Sequence, residues 1–286
     1  MIRLLKKKDI EQISNEYKFD SKYLNTLLCN MSEYMYVSIN DKVNGFMICF
    51  DDGKYIHIKN INGNNNQFLK HLIFNANKDI SIDKLIDGLD EFNFKFDGSN
   101  YVRKFEKFEP NNINIFDYYE QDENFKKKLL EQINEPLWKG AKHLYNSVIN
   151  NKDDGKLFIM YDSDRNHIIS FGTLHDFDEI ESDTLKPWIG SIYTFRPYRG
   201  SRYSEKLIKY ILNVAKKNGN EFVYLSSDNK GMYEKYGFDL YGKMNTVIGN
   251  ETQVFVYDTK KLELKWYWKR KNNFYKLFFF ALLNKI

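Results

Sequence analysis

The segment 189–237 constrains the fold more than any other part of the chain. An apolar run at 189–195 ends in the basic turn Arg199-Gly200-Ser201-Arg202. A helix follows at once, with Tyr203, Leu207, Ile208, Ile211, Leu212 and Ala215 spaced for one buried face. Gly219 ends it, a second apolar run occupies 221–225, and a short helix carrying Tyr233 closes at Gly237. Strand, helix and strand in this order form a crossover unit, which is right-handed by the twist of its strands. The turn matters chemically. The first N–H groups of a helix lack intrahelical partners, carry partial positive charge and can cradle a phosphate. Arg199 and Arg202 add full charges beside them.

These residues resemble the GNAT superfamily of acetyl-CoA-dependent N-acyltransferases. That family's pyrophosphate loop reads Arg/Gln-x-x-Gly-x-Gly/Ala; here the six positions are Arg199, Gly200, Ser201, Arg202, Tyr203 and Ser204. Arg202 stands where the first glycine usually lies, and Ser204 at the second small position. Met232-Tyr233-Glu234-Lys235-Tyr236-Gly237-Phe238 matches the family's closing LYEKxGF segment. The match is specific over about 155–257 and not over the first 110 residues.

The resemblance implies an α+β fold, a mixed and mostly antiparallel sheet flanked by helices. It implies acetyl transfer from acetyl-CoA to a primary amine, on a small molecule or a peptide, by direct attack. The N–H groups of 200–204 would hold the coenzyme pyrophosphate, with Arg199 and Arg202 as charge partners. The strand edge at Thr194-Phe195 would hydrogen-bond the pantetheine arm as an added strand does. Ser226 and Asn229 would touch the coenzyme, or else cap a helix. Tyr233 takes the family's general-acid position; a phenol with pKa near ~10 can protonate a thiolate only where positioning and local field help it. The general base stays open, because 188–195 holds no carboxylate. Candidates are His175, Asp176, Glu181, Asp183 and a water chain.

The rest of the chain narrows the alternatives. At 286 residues, with 23 Phe and 21 Tyr, it can build one large core or two. The formal charge is +4, but residues 260–286 alone carry eight Lys/Arg against one Glu. The body is therefore slightly acidic and is not a nucleic-acid surface by charge. No stretch approaches ~20 apolar residues and the N-terminus lacks a secretory pattern, so a cytoplasmic protein is expected. Cys29 and Cys49 lie among apolar neighbours and are expected as reduced core residues. The five His have no metal-site spacing, and there is no Gly-x-Ser-x-Gly elbow, so no metal and no serine nucleophile are expected.

Periodicity predicts a strand and short helix over 2–17, a helix from 20 or 21 to 29, strands at 34–39, 43–50 and 54–61, and a helix at 67–75. The same order recurs later: helices at 122–132 and 136–150, strands at 156–161, 167–175 and 188–195, then the helix after Arg202. A tandem repeat is expected, with a degenerate copy at 1–110, the catalytic copy at 111–259 and a basic amphipathic tail at 260–286. The first copy has Asn62-Gly63-Asn64-Asn65-Asn66 where a phosphate loop should stand, with no arginine. The tail is expected to dock on the body rather than on an anionic membrane surface. Two alternatives to an enzyme remain at this level: a coenzyme-binding regulatory module without catalysis, and a membrane-surface protein acting through the tail.

Overall fold

A computed structural model describes residues 2–30, 32–136, 138–150, 155–180 and 182–262. The expected tail element and Glu181 lie outside the described residues.

The first half opens with β1 (Ile2–Leu4), α1 (Ile10–Tyr17) and α2 (Ser21–Cys29), the last capped by Asp20, whose carboxylate accepts from the N–H of Lys22 and Tyr23. A meander of β2 (Glu33–Ile39), β3 (Val43–Asp51) and β4 (Tyr55–Asn62) leads into α3 (Asn65–Asn75). Then come β5 (Asp79–Ile82), β6 (Lys95–Phe96) and β7 (Tyr101–Arg103). The sheet order is β1-β2-β3-β4-β5-β7-β6, with β4–β5 parallel and the other pairs antiparallel.

The second half runs β8 (Ile113–Asp117), α4 (Glu123–Ile133), α5 (Lys139–Ile149), β9 (Lys156–Asp162), β10 (His167–His175), β11 (Trp188–Thr194), α6 (Tyr203–Lys217), β12 (Phe222–Ser226), β13 (Asp239–Asn245) and β14 (Glu251–Asp258). Its sheet order is β8-β9-β10-β11-β12-β14-β13, and β11–β12 is its parallel pair. Strand for strand this repeats the first sheet. Each half also places two helices after its first strand and one in its parallel crossover. The fold is thus α+β, two mostly antiparallel sheets flanked by helices, as the resemblance implies.

The burial pattern explains the order. Along α6, Leu207, Ile208, Ile211, Leu212 and Ala215 are fully buried against β9, β10 and β11. On the first sheet, Phe68, Leu69 and Leu72 of α3 pack on Met47, Ile58 and Ile80. The halves meet where Phe74 of α3 enters the second core, stacked on His167 at 3.4 Å with Phe108 at 5.4 Å.

Two expectations need correction. Cys49 is buried, but Cys29 is exposed, because Leu24 and Leu27 define the inner face of α2 and position 29 falls away from it. The short helix said to carry Tyr233 is one 3-10 turn at Glu234–Tyr236, with Tyr233 just ahead of it.

Candidate active site

The parallel pair at the middle of the second sheet comes apart. β11 and β12 are in register at Trp188 and Tyr224, and no pairing continues beyond that point. β11 also carries one extra residue between Gly190 and Tyr193 relative to β10, with Ser191 in the left-handed region at φ 51°. The bulge seats Ile192 over Gly172, where a β-carbon would come within 2.3 Å of the Ile192 side chain. Backbone that would otherwise pair with β12 therefore faces a cleft.

At the head of the cleft the turn before α6 is wound by two left-handed residues, Gly200 at φ 87° and Arg202 at φ 58°. Arg202 is the helix N-cap, and no side chain caps the helix there. The equivalent end of α3 differs. The Asn64 side chain accepts from the N–H of Gln67 at 3.0 Å, so that helix start is closed by its own residue.

The cations at the turn are placed unequally. Arg199 donates through Nε to the Thr194 carbonyl at 2.8 Å and lies 5.2 Å over the Tyr193 ring. Arg202 pairs with Glu205, which Lys209 also holds at 2.7 Å. A third cation comes from outside the crossover. A β-carbon on Gly200 would stand 2.9 Å from the Lys107 ammonium. Lys107 is held there by its neighbour. The Phe108 N–H donates to the Pro197 carbonyl at 2.8 Å, and the Phe108 ring meets Tyr198 and Arg165.

The other predicted coenzyme residues are partly committed. Phe195 is fully buried and its N–H donates to the Ile169 carbonyl at 3.0 Å, while the Thr194 hydroxyl bonds Ser170. The Tyr203 side chain belongs to the core, which leaves its backbone to the turn. Ser201 is half-buried between the two left-handed residues. Ser204 Oγ lies 3.0 Å from the Tyr236 hydroxyl, which ties the helix start to the segment bearing Tyr233.

Tyr233 is buried among Tyr236, Phe238 and Phe255. Burial raises its phenol above the ordinary range, and a hydrogen bond with Ser227 opposes the rise. The hydroxyl is thus held protonated, as a donor must be. Ser227 also binds Asn229, whose N–H and Nδ2 donate to Ser227 Oγ at 3.1 and 3.2 Å.

Sequence reasoning missed Asp178 and Glu179. Ser226 Oγ donates to Asp178 at 3.1 Å. Burial pushes the Asp178 carboxyl up, and burial with the nearby Asp178 and Asp228 charges does the same to Glu179. The loop reaches β12 because Ile180 bridges Thr246 at the tip of the β13–β14 hairpin, and Val247 N–H donates to the Glu179 carbonyl. The available signal was the run of acids just after β10, but only the hairpin shows which of them turns inward. His175 ends β10 half-buried and paired with Trp188, Asp176 is exposed at the start of that loop, and Asp183 lies exposed farther along it.

Beside β11 a cavity of about 410 Å3 is lined by Tyr36, Asn75, Trp138, Tyr193, Arg196 and Asn229 among others. Tyr36 and Asn75 belong to the first half. Trp138 stacks on Tyr193 at 5.6 Å and 13°.

Residues 116–238 match the sequence model of the acetyltransferase (GNAT) family. The match covers 123 of the 286 residues, from within β8 to the residue before β13. No curated protein matches the chain. Among solved structures, a GNAT-family acetyltransferase from Staphylococcus aureus is similar at 14% identity and TM-score 0.36, over 52% of this chain and 99% of that one. A GNAT-family acetyltransferase from Elizabethkingia anophelis, solved with acetyl-CoA bound, is similar at 16% identity and TM-score 0.38, over 52% and 99%. An aminoglycoside 6'-N-acetyltransferase complexed with coenzyme A is similar at 11% identity and TM-score 0.40, over 51% and 97%. At such scores these likenesses add nothing to the family match.

Proposed function

We propose that residues 111–259 form an N-acetyltransferase that passes an acetyl group from acetyl-CoA to a primary amine by direct attack, and that residues 1–110 are a degenerate copy of the same fold. The observation that carries this reading is the start of α6. It is an uncapped helix N-terminus wound by Gly200 and Arg202, and it opens onto a cleft between strands that have parted. Backbone N–H groups from 200–204 are available to the pyrophosphate, with Lys107 and Arg199 as the nearby positive charges. Thr194, Ser226 and Asn229 border the path the thioester arm would follow.

The chemistry then assigns roles. The amine nitrogen attacks the thioester carbonyl, the C–S bond breaks, and the leaving thiolate takes the Tyr233 proton. Asp178, whose carboxyl is raised above the ordinary carboxylate range by burial, accepts in its ionised form the proton shed by the amine, directly or through water. Ser226 holds that carboxyl in place.

Calorimetric titration with acetyl-CoA and thiol release on a panel of amines test the proposal. Absence of both would end it. The replacement of a loop glycine by Arg202, ion-paired to Glu205, favours a second reading, a coenzyme-binding module without turnover. Binding of acetyl-CoA with no thiol release on any amine would select that alternative. No helix among the described residues is long and apolar enough to cross a membrane.

A further inference from the structure

We propose that the cavity between the two halves seats the acceptor and selects an amine that also carries an anionic group, with Arg196 as the anion's partner. This rests on the transferase reading and extends it to a substrate class.

The cavity is concave and about 410 Å3, a size that suits a small molecule. Its lining holds two arginines and no carboxylate. One of them, Arg199, is engaged by the Thr194 carbonyl and the Tyr193 ring. The Arg196 guanidinium has no hydrogen bond or ion pair among the described residues. Its charge nevertheless reaches the phenols of Tyr34, Tyr36 and Tyr193 and opposes the rise that burial imposes on each. Arg196 lines the cavity alongside Tyr36 and Asn75 of the first half. The nearby carboxylate of Glu135 is already held by His167 and Asn75, both at 3.4 Å. A half-buried guanidinium without a counter-charge is costly, and an incoming anion removes that cost.

The mount is rigid. Arg196 starts a 3-10 turn, Arg196–Tyr198, whose Pro197 carbonyl accepts from Phe108 and whose Tyr198 hydroxyl donates to the fully buried Asp162 at 2.9 Å. The stacked pair Trp138 and Tyr193 supplies a flat wall, and Tyr36 faces in from the first half. Ile192, on the bulge beside the parted strands, lines the same cavity, so an amine bound here lies next to the cleft.

The rival source of negative charge is the coenzyme itself, and the experiment separates the two. The full chain is assayed by thiol release, and by calorimetry in the presence of coenzyme A, with matched amines differing in one anionic group. The pairs are Gly-Phe against its C-terminal amide, and phosphoethanolamine against ethanolamine. One anionic member should be favoured tenfold or more in kcat/KM, and the pair that shows the preference identifies carboxylate or phosphate. Arg196→Gln should raise KM for that acceptor tenfold or more, with kcat and the coenzyme Kd within about twofold. Arg196→Lys, which keeps the charge, should recover part of the loss and so exclude misfolding. Equal or better use of the neutral members would overturn the proposal. So would an Arg196→Gln variant that binds the coenzyme more weakly with acceptor KM unchanged. Binding of the anionic amine without acetyl transfer would instead sink the transferase reading and leave the anion site standing.

Discussion

Tyr233 and Asp178 show what single residues contribute and how differently they announce themselves. Tyr233 is legible because a local motif, Tyr-Glu-Lys-Tyr-Gly-Phe, surrounds it, and its hydroxyl is held protonated by burial. Tyr233→Phe removes the hydroxyl and keeps the ring, so affinity for acetyl-CoA should barely change while kcat falls roughly 10²- to 10⁴-fold. Wild-type turnover in that variant, with chemistry rate-limiting, would place the proton donor elsewhere. Tyr236, three residues on, has its hydroxyl at Ser204 at the start of α6, so Tyr236→Phe tests that tie and not the proton donor. Asp178 has no motif. It becomes a candidate only through the loop that Ile180 fastens to Thr246, a contact 66 residues apart in sequence. Its carboxyl is raised by burial, and a base must be deprotonated to act. The acid limb of kcat/KM should therefore lie above the ordinary carboxylate range near ~4, and Asp178→Asn should abolish that limb along with most of the rate. An unaltered limb in Asp178→Asn would assign the base to another group.

Two equivalent helices carry opposite fates at the level of elements. The start of α3 is closed by Asn64, and that of α6 is left open by Arg202. Calorimetry should accordingly find one acetyl-CoA per chain; a stoichiometry near two would mean that the first half also binds. Lys107→Ala should weaken coenzyme binding by about 1–3 kcal/mol, the scale of a hydrogen bond to a charged group, and by less at high salt. Unchanged affinity at low salt would show that the ammonium beside Gly200 only covers the turn. The helices and the central strands were readable because their apolar positions repeat cleanly, as on α6. The outer strands were not. β13 has exposed or half-exposed residues throughout, so no alternation marks it, and β6 has only two residues. They exist because a neighbouring strand offers unpaired backbone, which periodicity does not record.

At the scale of the whole molecule one topology repeats across the described residues, and the order of the predicted elements already carries that repeat. What the order did not reveal is how the halves join, because the joint is built from residues far apart: Phe74, Phe108, His71, Glu135 and His167. This joint makes the structure sensitive to acid. His71 is buried, and neither ring nitrogen has a hydrogen-bond partner. Burial lowers its pKa to about 4; the Glu135 carboxylate, 3.8 Å away, opposes the fall without cancelling it. An unfolded histidine titrates near ~6.5, so between that pH and about 4 the unfolded chain binds a proton that the native chain refuses. Stability must then fall as pH falls through this window, by roughly 2 kcal/mol between pH 7 and 5 from this residue. Glu135 adds a loss lower down. Its pKa is depressed, chiefly by His167 against the opposing effect of burial, so its contribution is present above the unfolded carboxylate pKa and disappears as pH drops through the folded one. Urea unfolding at pH 7 and pH 5 measures the effect, and His71→Gln isolates it. The variant loses packing against Tyr36, so the informative quantity is the difference between the two pH values rather than either stability alone. That difference should shrink by about 2 kcal/mol in His71→Gln. An identical pH dependence in both proteins would mean that His71 is not the neutral buried group that ties the halves together.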